Sequence, residues 1–195
     1  MFLNREYLNR VARSSSMDSQ YRQNQVLNEN RTIFSSNNTY DIFLSHSYLD
    51  HNSVYAIVDL FNKSGYSVYV DWIVDTQLDR SQVNRTTAET LRHRMGTCRG
   101  LAYVSSTNST NSKWCPWELG YVDGRKNGRC AILPVLDTAS STFTGQEYLS
   151  LYPYIDYAEY HSSRKMEFWV NDPQDRSKYV SLKDWLNGKN PYKHI

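Results

Sequence analysis

The sequence predicts a three-layer α/β domain, with a five-stranded parallel sheet and helices on both faces. Three observations carry that expectation. Short apolar runs alternate with stretches of helical periodicity, the rhythm of repeated strand–helix units. The runs Ile42-Phe43-Leu44, Leu101-Ala102-Tyr103-Val104 and Cys130-Ala131-Ile132-Leu133 are continuous rather than alternating, as strands buried on both faces require. Small polar residues follow two of them, Ser45-His46-Ser47 and the Asn/Ser/Thr-rich loop 106–112. At 195 residues the chain can bury one such core without disulfide staples.

Residues 1–38 are polar, yet Leu3, Tyr7, Leu8 and Val11 recur at helical spacing. A helix to about Arg13 is expected, then a second across Asp18 to Asn28. Together they form an N-terminal extension, read either as a partly ordered appendage or as a cap that docks on the domain or on another protomer. The domain proper spans 39–160, and 161–195 form a C-terminal extension with a short helix. Tyr40 to Ser47 holds the first strand and its polar end, and Asp50 is a helix N-cap. Val54, Ile57, Val58 and Phe61 make one apolar stripe, ended by Gly65 as the C′ residue.

Tyr66 to Trp72 is read as the second strand, and residues 73–85 as a long polar connection. Thr86-Thr87-Ala88-Glu89 has the spacing of a capping box for a helix through Leu91 and Met95. Leu101 to Ser105 is the third strand and Cys130 to Asp137 the fourth. Pro134 lacks an N–H, which suggests an edge or a strand end there. A short fifth strand follows at Tyr152 to Tyr157. Ser181 to Leu186 reads as a last capped helix.

Composition removes several function classes. Lysine and arginine number 22 against 20 acidic residues, and the first 38 residues carry the excess, 5 against 3. No basic stripe interleaved with aromatics is present, so no nucleic-acid partner is expected. No apolar run reaches membrane-spanning length and no signal-peptide pattern opens the chain, so a cytoplasmic protein without membrane contact is expected. Cys98, Cys115 and Cys130 form neither a CxxC pair nor an even framework, and read as reduced thiols. No metal site is expected. Ser45-His46-Ser47 is not glycine-rich, so the dinucleotide fingerprint and the phosphate loop are both absent.

The chemistry concentrates in Ser112-Lys113-Trp114-Cys115-Pro116-Trp117-Glu118-Leu119-Gly120-Tyr121. Ser112 is a good N-cap, and Pro116 is tolerated in a first turn. Trp114 and Glu118 are four apart, so a flat ring and a carboxylate share one helix face. The helix follows a buried strand, where open α/β sheets place their ligands. A helical glutamate is most often a solvated charge, and a tryptophan most often core. Cys115 lies nearest the site, with no histidine close in sequence to serve as its base.

As a set, these landmarks resemble the TIR domain. Tyr40 to Ser47 with Asp50 is similar to its opening strand, and Val68-Tyr69-Val70-Asp71-Trp72 to its second. Residues 73–85 correspond to its BB loop, without the glycine-containing turn many members carry. Ser112 to Leu119 is similar to its Ser-x-Trp-Cys-x-x-Glu-Leu segment, and Ile132-Leu133-Pro134-Val135 to its Ile-(Val/Leu)-Pro-(Val/Ile) strand. The resemblance covers about 39–160 and implies a flavodoxin-like fold.

The resemblance also implies an activity, cleavage of NAD+ at the nicotinamide–ribose bond, with NAD+ as substrate and no cofactor. Glu118 corresponds to the essential glutamate of enzymatic members and Trp114 to a pocket residue. Phe43, Ser45 and His46 are expected to line the same cleft, with Asp71 and Trp72 as its wall. Small bacterial members of this kind occur in Thoeris-type anti-phage defence, making a cyclic or otherwise modified ADP-ribose messenger for a separate effector protein. TIR self-association is expected. A non-catalytic TIR–TIR interaction module is the competing expectation. A different N-glycosidic enzyme, such as a nucleoside hydrolase or deoxyribosyltransferase, is the third.

Overall fold

A computed structural model of the chain describes residues 1–14, 24–30, 32, 39–75, 83–141, 146–160 and 163–194. In chain order, Leu3–Asn4 form β1 and Arg5–Ser14 form α1. Residues 24–30 form α2. Tyr40–Ser45 is β2, His51–Lys63 α3, Val68–Tyr69 β3, Asp71–Val74 α4 and Arg85–Thr97 α5. Cys98–Ser105 is β4, Trp114–Arg125 α6, Cys130–Leu136 β5 and Tyr154–Tyr160 β6. Lys165–Asn171 is β7, Lys178–Ser181 β8, Leu182–Leu186 α7 and Tyr192–Lys193 β9.

The expected α/β architecture is present. The sheet runs β3-β2-β4-β5-β6-β7-β8-β9, with β1 against β5. The first five strands of that order are parallel. The strand count is larger than the expected five. β1 adds a parallel pair, Leu3 opposite Val135, and β7, β8 and β9 extend the sheet antiparallel. The C-terminal segment thus continues the sheet from β6 by a hairpin, with Phe168 and Val170 buried on the side that carries α3.

Apolar faces explain the layers. Ile42, Leu44, Ala102, Val104, Ala131 and Leu133 pack against α1, α2 and α3. The alternate residues Phe43, Leu101, Tyr103 and Ile132 pack against α5 and α6. In α3 the stripe Val54, Ile57, Val58 and Phe61 is fully buried. Each such side chain contributes about 1.5–3 kcal/mol, far more than helix propensity supplies. Gly65 ends α3 at φ 83° with the paired bonds Gly65 N–H to Asn62 and Tyr66 N–H to Phe61, a Schellman stop.

Five local expectations are corrected. The second strand is only Val68–Tyr69, because Asp71 and Trp72 turn into α4, with Ile73 and Val74 N–H both donating to the Val70 carbonyl. The cap of α5 lies two residues earlier, at Asn84, whose side chain accepts from Thr87 N–H at 2.8 Å, so Thr86 is not the cap. Asp50 stands at the N-cap of α3, but its carboxylate makes no cap bond. Pro134 lies in an interior strand. Ile132 N–H points at Pro153 of β6's approach, so Pro134 two residues on faces the same side, where the β6 ladder has ended and β1 joins only from Val135. The fifth strand begins at Tyr154 rather than Tyr152, since Tyr152 closes a 3-10 turn, Glu147–Leu151. Of the expected connection 73–85, residues 76–82 lie outside the described residues, as do 18–23 of the expected second helix.

β2 leads to β3 on one side and the chain then returns to place β4 on the other. That reversal makes the carboxyl ends of β2 and β4 the switch point, the crevice where such sheets hold ligands.

Candidate active site

Glu118 enters the switch point from α6. Ser112 Oγ accepts from Cys115 N–H at 3.2 Å, which caps the helix as expected although its regular part opens at Trp114. Pro116 sits in that first turn, where few intrahelical donors are lost. One turn on, Glu118 is 0 % exposed. Ser45, the last residue of β2, donates its hydroxyl to Glu118 Oε2 at 2.6 Å. A carboxylate has therefore been carried into the protein at the end of the central strand. The bland alternative, a solvated helical charge, does not describe it.

Trp114 is buried with Cys115 and Leu119 on the α5/α6 side of the sheet. Its ring meets Trp117 edge-on at 5.4 Å, and Trp117 stacks on Tyr121 at 5.9 Å with the Arg92 guanidinium 5.3 Å from the Trp117 ring centre. Phe43, two residues before Ser45 on the same strand face, stacks on Tyr69 at 5.1 Å.

His46 turns the other way. Trp72 Nε1–H donates to His46 Nε2 at 2.8 Å, and an indole nitrogen can only donate. The proton of the ring is thereby fixed on Nδ1, which faces the Leu44 carbonyl at 2.9 Å. Asp71 Oδ1 stands 3.9 Å from His46 Nε2. Trp72 also packs edge-on against Tyr55 of α3 at 4.9 Å. The seven expected residues thus form two groups around the carboxyl end of β2. Ser45, Glu118, Trp114 and Phe43 lie on the α5/α6 side, and His46, Asp71 and Trp72 on the α3 side.

Sequence reasoning missed two features that frame these groups. Asp50 is buried and accepts from Ser106 Oγ at 2.5 Å and Asn108 Nδ2 at 2.7 Å, tying the loop after β2 to the loop after β4. The position of Asp50 three residues after Ser47 was the available signal, and it reads equally well as a cap. Beyond α4, Asp75 accepts from Tyr69 Oη at 2.8 Å and from both Nε and Nη2 of Arg94. Burial pushes the Asp75 carboxyl up, but the hydrogen bonds from Arg94 and Tyr69 outweigh it and hold it below the ordinary carboxylate range.

The three cysteines are all buried and none is in a disulfide. Burial raises the Cys98 thiol well above its ordinary value, and burial with Asp123 nearby raises Cys130 to about 12, so both stay protonated. Among the described residues, no group of three or more His, Cys, Asp or Glu side chains is arranged to hold a metal ion. No helix among them is long and apolar enough to cross a membrane.

Known proteins resemble the chain in sequence. A protein of Bacillus cereus (strain MSX-D12) named "Probable 3' cyclic ADP-D-ribose synthase ThsB'" is 41 % identical over 191 residues, covering 95 % of this chain and 97 % of that protein. A Cytobacillus dafuensis protein named "Putative cyclic ADP-D-ribose synthase TIR2" is 37 % identical over 83 residues, 42 % of this chain and 22 % of that longer protein. The TIR domain family matches residues 42–168, from within β2 to the middle of β7. The chain belongs to the TIR domain family.

Proposed function

We propose that this chain cleaves NAD+ at the nicotinamide–ribosyl bond and closes the remaining ADP-ribosyl group into a cyclic ADP-ribose signal. The observation that carries the reading is the buried Glu118 carboxylate, held by Ser45 at the switch point. The names of the two relatives supply the product class.

The chemistry asks little of the protein beyond placement. Nicotinamide leaves as a neutral ring carrying the bonding pair, so it needs no general acid. Positive charge grows at the ribosyl carbon, and an anion fixed nearby in a dry site stabilises it. Glycosidases set a carboxylate beside the same kind of oxocarbenium centre. In this reading Glu118 is that anion, and Trp114 offers a flat apolar face to the nicotinamide or a neighbouring ring. An internal nucleophile of the ADP-ribosyl group then attacks the same carbon. Water excluded from the cleft favours ring closure over hydrolysis. Ser45 orients Glu118, and Phe43 shares the strand face of Ser45. His46, with its proton held on Nδ1 by Trp72, and Asp71 complete the opposite wall.

The reading extends to the chain's setting: a cytoplasmic enzyme whose nucleotide messenger reaches a separate effector in anti-phage defence, as the resemblance to Thoeris-type members implies. It further includes self-association, because a second copy covering the cleft would keep water out.

Incubation of the purified chain with NAD+, followed by mass spectrometry of the products, tests the reading. Nicotinamide and a cyclic ADP-ribose isomer are expected, with specific activity rising with protein concentration. Intact NAD+ after incubation at every concentration would leave only the interaction-module alternative.

A further inference from the structure

We infer that Arg5, in the N-terminal segment, is a positioning residue that holds the loops around the candidate active site. Its guanidinium reaches three loops at once. Nη2 donates to Asp50 Oδ1 at 3.2 Å, in the segment after β2, and to Thr107 Oγ1 at 3.3 Å, after β4. Nε donates to Asp137 Oδ1 at 2.9 Å, after β5. These are the carboxyl ends of three adjacent parallel strands. Loops have no ladder to fix them, so one planar cation bonded to all three sets their spacing.

The segment that carries Arg5 is itself anchored. β1 pairs with β5, and Leu3 and Leu8 are fully buried in the core on the α3 side. Asn4 Oδ1 accepts from Tyr7 N–H at 2.8 Å, which starts α1 where Arg5 points along the rim. The N-terminal residues therefore act as a strap fastened at the sheet and ending in a guanidinium.

The link from Arg5 to Glu118 is short. Asp50 is 2 % exposed, and a buried carboxylate is tolerated only when donors surround it. Two of those donors, Ser106 Oγ and Asn108 Nδ2, belong to the loop leading to α6. Ser106 Oγ also accepts from the backbone N–H of Asn108 and Ser109, fixing the 3-10 turn Ser109–Asn111. Ser112 follows at once and caps α6, which carries Trp114 and Glu118. On the other side Asp50 N–H donates to the Ser47 carbonyl, next to His46. Arg5 thus pins the carboxylate that joins both walls of the cleft.

The inference rests on the NAD+ reading, and its test separates the two. Arg5→Ala in the full chain is expected to lower kcat for NAD+ cleavage about tenfold or more while KM changes less than about threefold, because misplaced groups cost transition-state alignment rather than binding. The Arg5 side chain is 31 % exposed, so added methylguanidinium can enter and is expected to restore kcat of Arg5→Ala several-fold, with no gain for the native chain. Arg5→Lys, a single point charge without the fork, recovers only part of the activity. Without NAD+, amide exchange of residues 106–112 is expected to quicken about tenfold in Arg5→Ala while β2 and β4 keep their protection.

Native kcat together with native exchange at 106–112 overturns the inference. So does lost activity with no guanidinium rescue and protection lost across the whole sheet, since Arg5 would then be a general stability residue. If the native chain leaves NAD+ intact, the NAD+ reading fails, and exchange at 106–112 still decides whether Arg5 holds the rim.

Discussion

Two aspartates bracket β2, and their surroundings differ in a way that separates stability from activity. Asp41, near its amino end, accepts from Ser67 N–H at 2.9 Å, Ser67 Oγ at 3.1 Å and Arg99 Nη1 at 2.8 Å. Asp50, beyond its carboxyl end, accepts from Ser106, Asn108 and Arg5. Both are buried and both meet one arginine. Asp41's partners stand in or beside strands whose positions the sheet already dictates. Of Asp50's partners, Ser106 and Asn108 stand in the loop after β4, and Arg5 opens α1. The same chemistry therefore locks a foundation at one rim and arranges a working surface at the other.

The sharpest contrast comes from Glu118→Gln, which keeps the volume and removes the charge. It is expected to cut NAD+ cleavage by about 10³-fold, the scale of losing a preorganised electrostatic contact, with the thermal midpoint nearly unchanged. Nicotinamide release by the variant at the native rate would remove Glu118 from the chemistry. At the opposite rim, Asp41→Ala is expected to cost about 2–3 kcal/mol in urea unfolding, below the full value of a broken buried pair because Arg99 keeps some solvent. Its kcat should stay within about twofold of native, since its partners lie at the far end of the sheet from Glu118.

Gly100→Ala probes the same foundation by packing. An added Cβ would meet Leu186 Cδ2 and Trp185 Cζ3 at 3.0 Å and the Arg129 carbonyl at 3.3 Å. Forcing α7 away is expected to cost about 1–3 kcal/mol, read from the shift in unfolding midpoint. Ser45→Ala removes the hydroxyl on Glu118 and is expected to lower kcat about tenfold, a hydrogen bond to a charged group being worth about 1.5–3 kcal/mol.

The smallest expected effect is a pH dependence at Asp75. Its folded pKa lies below the unfolded one, so its stabilisation is present above the ordinary carboxylate range, about pH 4, and fades as pH falls through the folded value. The stability gap between the native chain and Asp75→Asn should therefore close on acidification below that range. A gap that persisted there would contradict the Arg94–Asp75 pairing.

What the sequence made legible follows the range of the interactions. Continuous apolar runs reported β2, β4 and β5, and the four-residue spacing reported Trp114 with Glu118, because each is a local pattern. The cap at Ser112 and the stop at Gly65 were readable for the same reason. Pro134 misled because a proline's cost depends on which neighbour its nitrogen faces, and that is a fact of the sheet. Asp71 and Trp72 misled because an apolar, aromatic stretch reads as strand until its carbonyls are seen to turn. The role of Arg5 left no local trace, and that of Asp50 only one that reads equally well as a cap: Arg5 meets Asp137 across 132 positions of sequence. Only the assembled fold brings such groups together.

The shape of the sheet's two ends has a consequence for the chain's solubility. An open sheet has two edges that can in general recruit another chain's backbone, and here the Val68 N–H and carbonyl of β3 are already bonded by the Asn30 side chain. Here the outermost strands, β3 and β9, are two residues each, and β9 ends in a lysine. A templating polypeptide would find almost no length to bond with at either side, and a charge to desolvate at one. Edges so short give little on which to seed a fibril.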